Sequence, residues 1–234
     1  MERLVSVDIP IDSPNFLVYH FYHKDLFASL EKYANGELLD IGCGNKPYRS
    51  IVETKVTKYT GCDIVQSSDN CVDIICEANH IPLATESFDT VLSTQTIEHV
   101  EDHQGLVNEA FRLLKPGGYF ILAGPMYWPL HEEPYDFFRF TKYGFKYLLE
   151  KAGFTVLETL SNGGKWALCG QVLLHTLYPE VRKGKTFKYK FLRIGIRMIG
   201  GIKSINKFFL KMDKAHRNEV STINYVVVAK KELI

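Results

Sequence analysis

Asp40, Gly42, Gly44 and, about twenty positions on, Asp63 have the types and spacing of a nucleoside pocket. The run Leu38-Leu39-Asp40-Ile41-Gly42-Cys43-Gly44-Asn45-Lys46-Pro47-Tyr48 reads as a short buried strand, an acid at its carboxyl end and a glycine-rich turn. Parallel sheets open their ligand crevice just beyond the carboxyl ends of the strands. Glycines there let the backbone approach a bound molecule closely. Asp63, at the tip of a second strand, is placed to accept hydrogen bonds from both hydroxyls of a ribose. A dinucleotide loop wants a third glycine where this chain has Pro47. Asp40, expected to point into the crevice, would also repel a pyrophosphate. A cofactor with a cationic group and no phosphate fits this loop better.

A second chemical group lies in the loop Gly124–Thr141, which follows the expected fifth strand and holds three prolines and many aromatics. Tyr127 and its neighbours would form a wall for a second substrate, and His131 is the one side chain in the loop suited to act as a base near neutral pH. Asp136 and Arg139 either contact that substrate or pair with one another to brace the loop. His131, Glu132, Glu133 and Asp136 lack a second histidine at ligand spacing, so no metal is expected. His99, at a helix start, reads as helix-end structure or as the floor of the site.

The elements that must hold these groups alternate. Ser13-Pro14 predicts a helix start, with Phe16, Tyr19, His23, Leu26, Leu30 and Tyr33 recurring at helical spacing up to Asn35-Gly36. Strands are expected at 37–41, 58–64, 70–76, 88–93, 119–123, 154–160 and 221–229, with helices at 47–52, 98–114 and from a Thr141 cap to Ala152. This alternation predicts an α/β fold: a doubly wound, mostly parallel seven-stranded sheet with an N-terminal helix and a helical insertion before the last strand. One domain is expected, divided into an N-terminal helical cap (1–35), a cofactor-binding core (36–160), a basic helical insertion (161–220) and the last strand (221–234).

At these residues the chain resembles the class I S-adenosylmethionine-dependent methyltransferases, in their type 11-like branch, over roughly 36–160 and the last strand. Asp40-Ile41-Gly42-Cys43-Gly44, Asp63, Glu77–Leu83, Phe88-Asp89, Ile97-Glu98-His99-Val100 and Leu114-Lys115-Pro116-Gly117-Gly118 match the family's motifs in order. The resemblance implies S-adenosylmethionine as cofactor. Gly42 and Gly44 would line its methionine moiety, with Asp40 orienting the loop or holding the ammonium through water. Asp63 would hold the ribose and Ile64 would pack on adenine. Glu77 and the backbone of Ala78 would meet the adenine amino side, and Thr94 and Gln95 would sit near the sulfur. Glu77 departs from the family's usual Asp, and Asn45-Lys46-Pro47 from its usual small residue. The segment His131-x-x-Pro134-x-Asp136-Phe137-x-Arg139-x-Thr141 also resembles methyltransferases associated with bacterial surface glycans.

Charge is divided along the chain. Residues 1–165 carry 14 Lys+Arg against 23 Asp+Glu, and residues 166–234 carry 14 against 4. Within 182–217 twelve basic residues accompany one acid, Asp213, beside an apolar stripe of Phe187, Phe191, Ile194, Met198, Ile202, Ile205, Phe209 and Met212. Such a stripe packs as a lid, joins a homodimer, or lies on an anionic membrane or lipid-linked substrate; Gly195, Gly200 and Gly201 predict a bend. Nucleic acid is not expected, because the body is acidic and no recognition motif is evident. Five cysteines without paired spacing, and residues 1–8 without a signal-like apolar core, suit a cytoplasmic protein, peripheral to the membrane's inner face if the stripe binds lipid. The expected function is methyl transfer to a hydroxyl of a glycan or small molecule. Two alternatives stay open: a quinone or lipid methyltransferase at the membrane surface, and a non-catalytic cofactor-binding subunit.

Overall fold

The computed structural model describes residues 4, 7–183 and 187–233. Most of the stretch 1–8, from which no leader was expected, and Gly184-Lys185-Thr186 of the basic stretch lie outside the described residues. The strands are β1 (Gly36–Ile41), β2 (Val56–Asp63), β3 (Ile74–Ile75), β4 (Phe88–Thr94), β5 (Leu114–Pro125), β6 (Thr155–Asn162) and β7 (Asn224–Lys230). The helices are α1 (Phe16–Tyr33), α2 (Arg49–Val52), α3 (His103–Leu113), α4 (Lys142–Lys151), α5 (Lys165–Lys183), α6 (Phe187–Met198) and α7 (Gly201–Ala215). A seven-stranded sheet runs in the order β3-β2-β1-β4-β5-β7-β6, with β7 antiparallel to both of its neighbours. The expected sheet is therefore present, and its parallel part reverses direction of growth between β1 and β4. That switch point opens the ligand crevice.

Fully buried strand residues face both ways, as parallel strands covered on two sides require. Leu39, Ile41, Val91, Phe120 and Leu122 pack with α3 and α4 residues such as Leu106, Leu113, Phe145 and Leu149 on one face. Leu38, Leu92, Ile121 and Val226 pack with Tyr22, Leu26 and Leu30 of α1 on the other. Burying each such side chain stabilises the fold by about 1.5–3 kcal/mol. A third, smaller core joins Leu17 and Phe21 of α1 to Ala167 and Leu174 of α5 and to Ile205 and Phe209 of α7. All five cysteines are free, with Cys43 and Cys62 buried.

Three local expectations shift. The first helix starts at Phe16 because the Ser13 hydroxyl accepts from the Asn15 backbone and holds a turn there instead. The third strand shrinks to Ile74–Ile75, since Gln66 and Ser67 take the polar groups of the preceding segment into a loop. The helix expected over 98–114 divides into a 3₁₀ turn at Ile97–His99 and α3, because the Asp102 carboxylate caps the Gly105 N–H and starts the helix afresh.

The basic insertion breaks at Gly200 and Gly201, whose φ values of 90° and 74° are left-handed. The one acid of its 182–217 stretch anchors it. The Asp213 carboxylate, 1% exposed, accepts from the backbone N–H groups of Gly164 and Ala167 and so caps α5 from α7. The stripe then parts: Ile205 and Phe209 of α7 are buried, whereas Phe187, Phe191, Ile194 and Met198 of α6 are exposed.

Candidate active site

A cavity of about 1340 Å³ opens over the carboxyl ends of β1, β2 and β4. Pockets for one small ligand usually occupy about 300–1,000 Å³, so this one has room for two. Of the residues singled out in the sequence, Gly42, Gly44, Asp63, Ile64, Glu77, Ala78, Thr94, Gln95, Tyr127 and His131 line it. Asp40, Asp136 and Arg139 do not appear among the lining residues.

The glycine loop is held by backbone bonds. Gly42 N–H and Cys43 N–H both donate to the Cys62 carbonyl, at 2.9 and 3.0 Å, which ties the loop to the end of β2. Gly44 N–H donates to an Asp63 oxygen at 3.0 Å, and Val65 N–H reaches the other oxygen at 3.4 Å. Gly42 has φ 76°, and a Cβ there would stand 2.1 Å from the Thr96 hydroxyl. Lys46 and Gln95 are also left-handed although they are not glycine, backbone strain of a kind that collects at functional sites. Gln95 is fixed by its backbone N–H to Ala123 and by its side-chain amide to Asn224 on β7. Ile64 is 63% exposed, an open apolar face beside Asp63.

Asp40 departs from expectation. Its carboxyl does not point into the crevice but lies buried behind the loop, where the Tyr59 hydroxyl donates to one oxygen at 2.5 Å and the other has no partner. Burial pushes its pKa up to about 7, against the opposing pull of the Tyr59 bond and Lys46.

The opposite wall is assembled from side chains of several segments. Asp136, whose side chain is 1% exposed, takes both its oxygens to Arg139, at 2.6 and 2.8 Å, and accepts the His131 backbone N–H. Arg139 also donates to the carbonyls of Trp128, Pro129 and Phe138. Of the two roles held open for Asp136 and Arg139, substrate contact or bracing, these bonds favour bracing, because the hydrogen bonds of the pair go to the loop and to each other. The Arg139 bond holds the Asp136 carboxyl down at about 2. Trp128 meets His175 of α5 edge-on, with ring centroids 4.7 Å apart, and Tyr127 stacks on the same imidazole.

His131 stands next to His99, their Nε2 atoms 3.1 Å apart. Burial and His99 lower the His131 pKa, with Asp136 opposing. Beneath them Glu98 is 1% exposed, both its oxygens lack partners, and burial raises its pKa to about 8. Glu98 and His175 were not singled out as site residues, whereas His99 was read as helix-end structure or site floor, Glu132 only as part of an unexpected metal cluster, and Trp128 only as one of the loop aromatics. His99 and Glu98 did lie in a quoted motif, but nothing in linear spacing joins them to a loop thirty residues later.

Residues 39–122 match the family model described as a methyltransferase domain. This match supports reading the chain as a class I S-adenosylmethionine-dependent methyltransferase. The same match supports the type 11 branch and S-adenosylmethionine as the cofactor. A Mycolicibacterium smegmatis protein named as a probable S-adenosylmethionine-dependent methyltransferase is 30% identical over 153 residues, 59% of this chain and 60% of that protein. The sterol 24-C-methyltransferase of Schizosaccharomyces pombe is 30% identical over 140 residues, 46% of this chain and 36% of the relative. The chain thus spans less than two thirds of these relatives' lengths. Among solved structures, the cyclase SpnF superposes with a TM-score of 0.57 at 17% identity, covering 92% of this chain and 82% of its own. That likeness concerns the fold alone.

Proposed function

We propose that this methyltransferase domain moves the methyl group of S-adenosylmethionine to a hydroxyl of a small-molecule or glycan acceptor. The observation that carries the proposal is one continuous cavity with the Asp63-anchored glycine loop on one side and His131 with Tyr127 and Trp128 on the other. Gly42 and Gly44 let the loop approach the methionine moiety, Asp63 accepts from the ribose, and Ile64 packs on adenine beside Glu77 and Ala78. Thr94 and Gln95 flank the sulfur. Asp40 supports the loop from behind and does not meet the ammonium.

Methyl transfer from a sulfonium is an in-line displacement in which the donor supplies the electrophile, and the protein supplies alignment and water exclusion. A neutral hydroxyl is a poor nucleophile, so removing its proton matters. His131 and His99 line the cavity where an acceptor would stand, with their Nε2 atoms 3.1 Å apart. There the hydroxyl proton passes to an imidazole of the floor or to solvent as the C–O bond forms and the S–CH₃ bond breaks, leaving the sulfonium sulfur as a thioether. Thermal melting tests the donor half: S-adenosylmethionine raises the melting temperature of the wild type, and Asp63→Ala abolishes the rise. Absence of a shift with either the donor or its demethylated product in the wild type would overturn the assignment.

A second reading of the acceptor rests on α6. Phe187, Phe191, Ile194 and Met198 are exposed beside the exposed bases Lys190 and Arg197. A surface of this kind binds anionic bilayers, and it would bring a lipid or lipid-linked acceptor, a quinone included, to the cavity. No helix among the described residues is long and apolar enough to cross a membrane. Flotation with anionic vesicles separates this reading from a homodimer through the same face, which sedimentation would reveal.

A further inference from the structure

The two imidazoles on the cavity floor present a problem of hydrogen-bond bookkeeping. His99 Nδ1 lies 2.7 Å from the Tyr135 carbonyl, and His131 Nδ1 lies 3.2 Å from the Pro129 carbonyl and 3.3 Å from an Asp136 oxygen. A carbonyl or carboxylate oxygen only accepts, so each Nδ1 must carry the hydrogen. In the neutral rings both Nε2 atoms then hold lone pairs, and these face each other at 3.1 Å. Two acceptors at that distance need something positive between them.

The surroundings supply the rest of a ligand set. His99 Nε2 is 3.9 Å from a Glu98 oxygen and 3.9 Å from a Glu132 oxygen. The ligand atoms of Glu98, His99 and His131 all lie within 4.8 Å of one another. Glu98 is the independent sign. It is 1% exposed, both its oxygens are buried without a partner, and it abuts the pair. Buried carboxylates are normally hydrogen-bonded, paired or bound to metal. Arg139 does not meet this need, because Asp136 and three carbonyls occupy it.

We propose that Glu98, His99, His131 and Glu132 bind one divalent transition-metal ion, of which Zn²⁺ is the type, at the acceptor end of the cavity. Two imidazole nitrogens about 2.0–2.1 Å from a tetrahedral ion stand about 3.3 Å apart, close to the separation found here. A mixed nitrogen and carboxylate set suits ions of intermediate softness better than Mg²⁺ or Ca²⁺. The hydrogen bonds from both Nδ1 atoms to Tyr135, Pro129 and Asp136 are the outer support that orients ligating histidines. His99, His131 and Glu132 line the cavity, so an ion here would be open to an acceptor hydroxyl. Bound to it, that hydroxyl would lose its proton to solvent more readily. This inference departs from the expectation of no metal, which rested on the loop lacking a second histidine; His99 supplies one from the 3₁₀ turn. It relies on the proposed methyl transfer only for what the ion would do, not for whether it binds.

The test is Co²⁺ titration of the tag-free full chain after chelator dialysis, read by visible d–d absorption and by metal content after gel filtration. One equivalent is expected, displaced by Zn²⁺. His131→Ala and His99→Ala should each weaken binding more than tenfold, and Asp136→Asn by about 10–100-fold, with unchanged circular dichroism. Absence of a stoichiometric band in the wild type, or binding indifferent to both histidine variants, would overturn the site and leave a shared proton between the rings. Metal binding is measured without donor, so its failure and the failure of donor-induced melting are separate results.

Discussion

The two walls of the cavity are built by different means. On the donor side, Gly42, Cys43, Gly44 and Asp63 are placed by backbone bonds between the ends of β1 and β2, and the sheet register sets their positions. On the acceptor side, the loop from Met126 to Phe140 is held by one carboxylate–guanidinium pair, by aromatic contacts to α5, and by two histidines from separate segments. The first wall depends on the register of two neighbouring strands. The second depends on which residues meet in space. A donor shared by many enzymes can be held by the first construction, while the second can change its occupant with a few side chains.

The contrast can be broken first at His131. His131→Ala should lower turnover by about 10²–10⁴-fold, the usual worth of acid–base assistance, while donor affinity stays within about twofold by calorimetry. A parallel loss of donor binding would show that the walls are not separable. Gly42→Ala is the converse. Its Cβ would meet Thr96 in a left-handed backbone, so donor affinity should fall at least tenfold, with partial recovery in the Gly42→Ala/Thr96→Ala double variant. Recovery failing altogether would place the strain in the backbone alone.

A smaller effect sharpens the donor side. Asp40 has a folded pKa near 7 against about 3.9 when unfolded. A raised carboxyl pKa means the folded state prefers the protonated form. Its contribution to stability is complete below about pH 4 and is lost as the pH rises through about 7. The melting temperature of Asp40→Asn minus that of the wild type should therefore increase across this interval; a flat difference would contradict the burial argument. The smallest effect belongs to α6, where Phe191→Asp should reduce vesicle flotation and leave melting within about 0.5 kcal/mol of the wild type, as exposed substitutions usually do.

How much was legible in the sequence follows the same division. The sheet could be read because strands and glycine turns alternate at fixed intervals, and ten of the named residues do line the cavity. Asp40 was misplaced because the pattern locates a strand end but does not say which side of the loop a carboxyl occupies. Asp136 and Arg139 were ambiguous because a three-residue spacing suits a brace as well as a clamp. The His99–His131 contact could not be read at all, since it joins a 3₁₀ turn to a loop thirty-two residues away. The apolar stripe of the insertion was visible, but only packing shows that α7 buries its part while α6 does not.

The position of β7 has a consequence for how the chain can be cut. It lies between β5 and β6, both of which precede it, so β6 reaches the sheet only through β7. An N-terminal fragment ending before Asn224 keeps β3-β2-β1-β4-β5 as a sheet but leaves β6 with no strand to pair with. Shortening the C-terminus past that point removes two ladders at once, and with Asn224 it takes the side chain that holds Gln95 at the mouth of the cavity. A ribosome must therefore pass Lys230 before the pocket announced at residue 40 has its last wall.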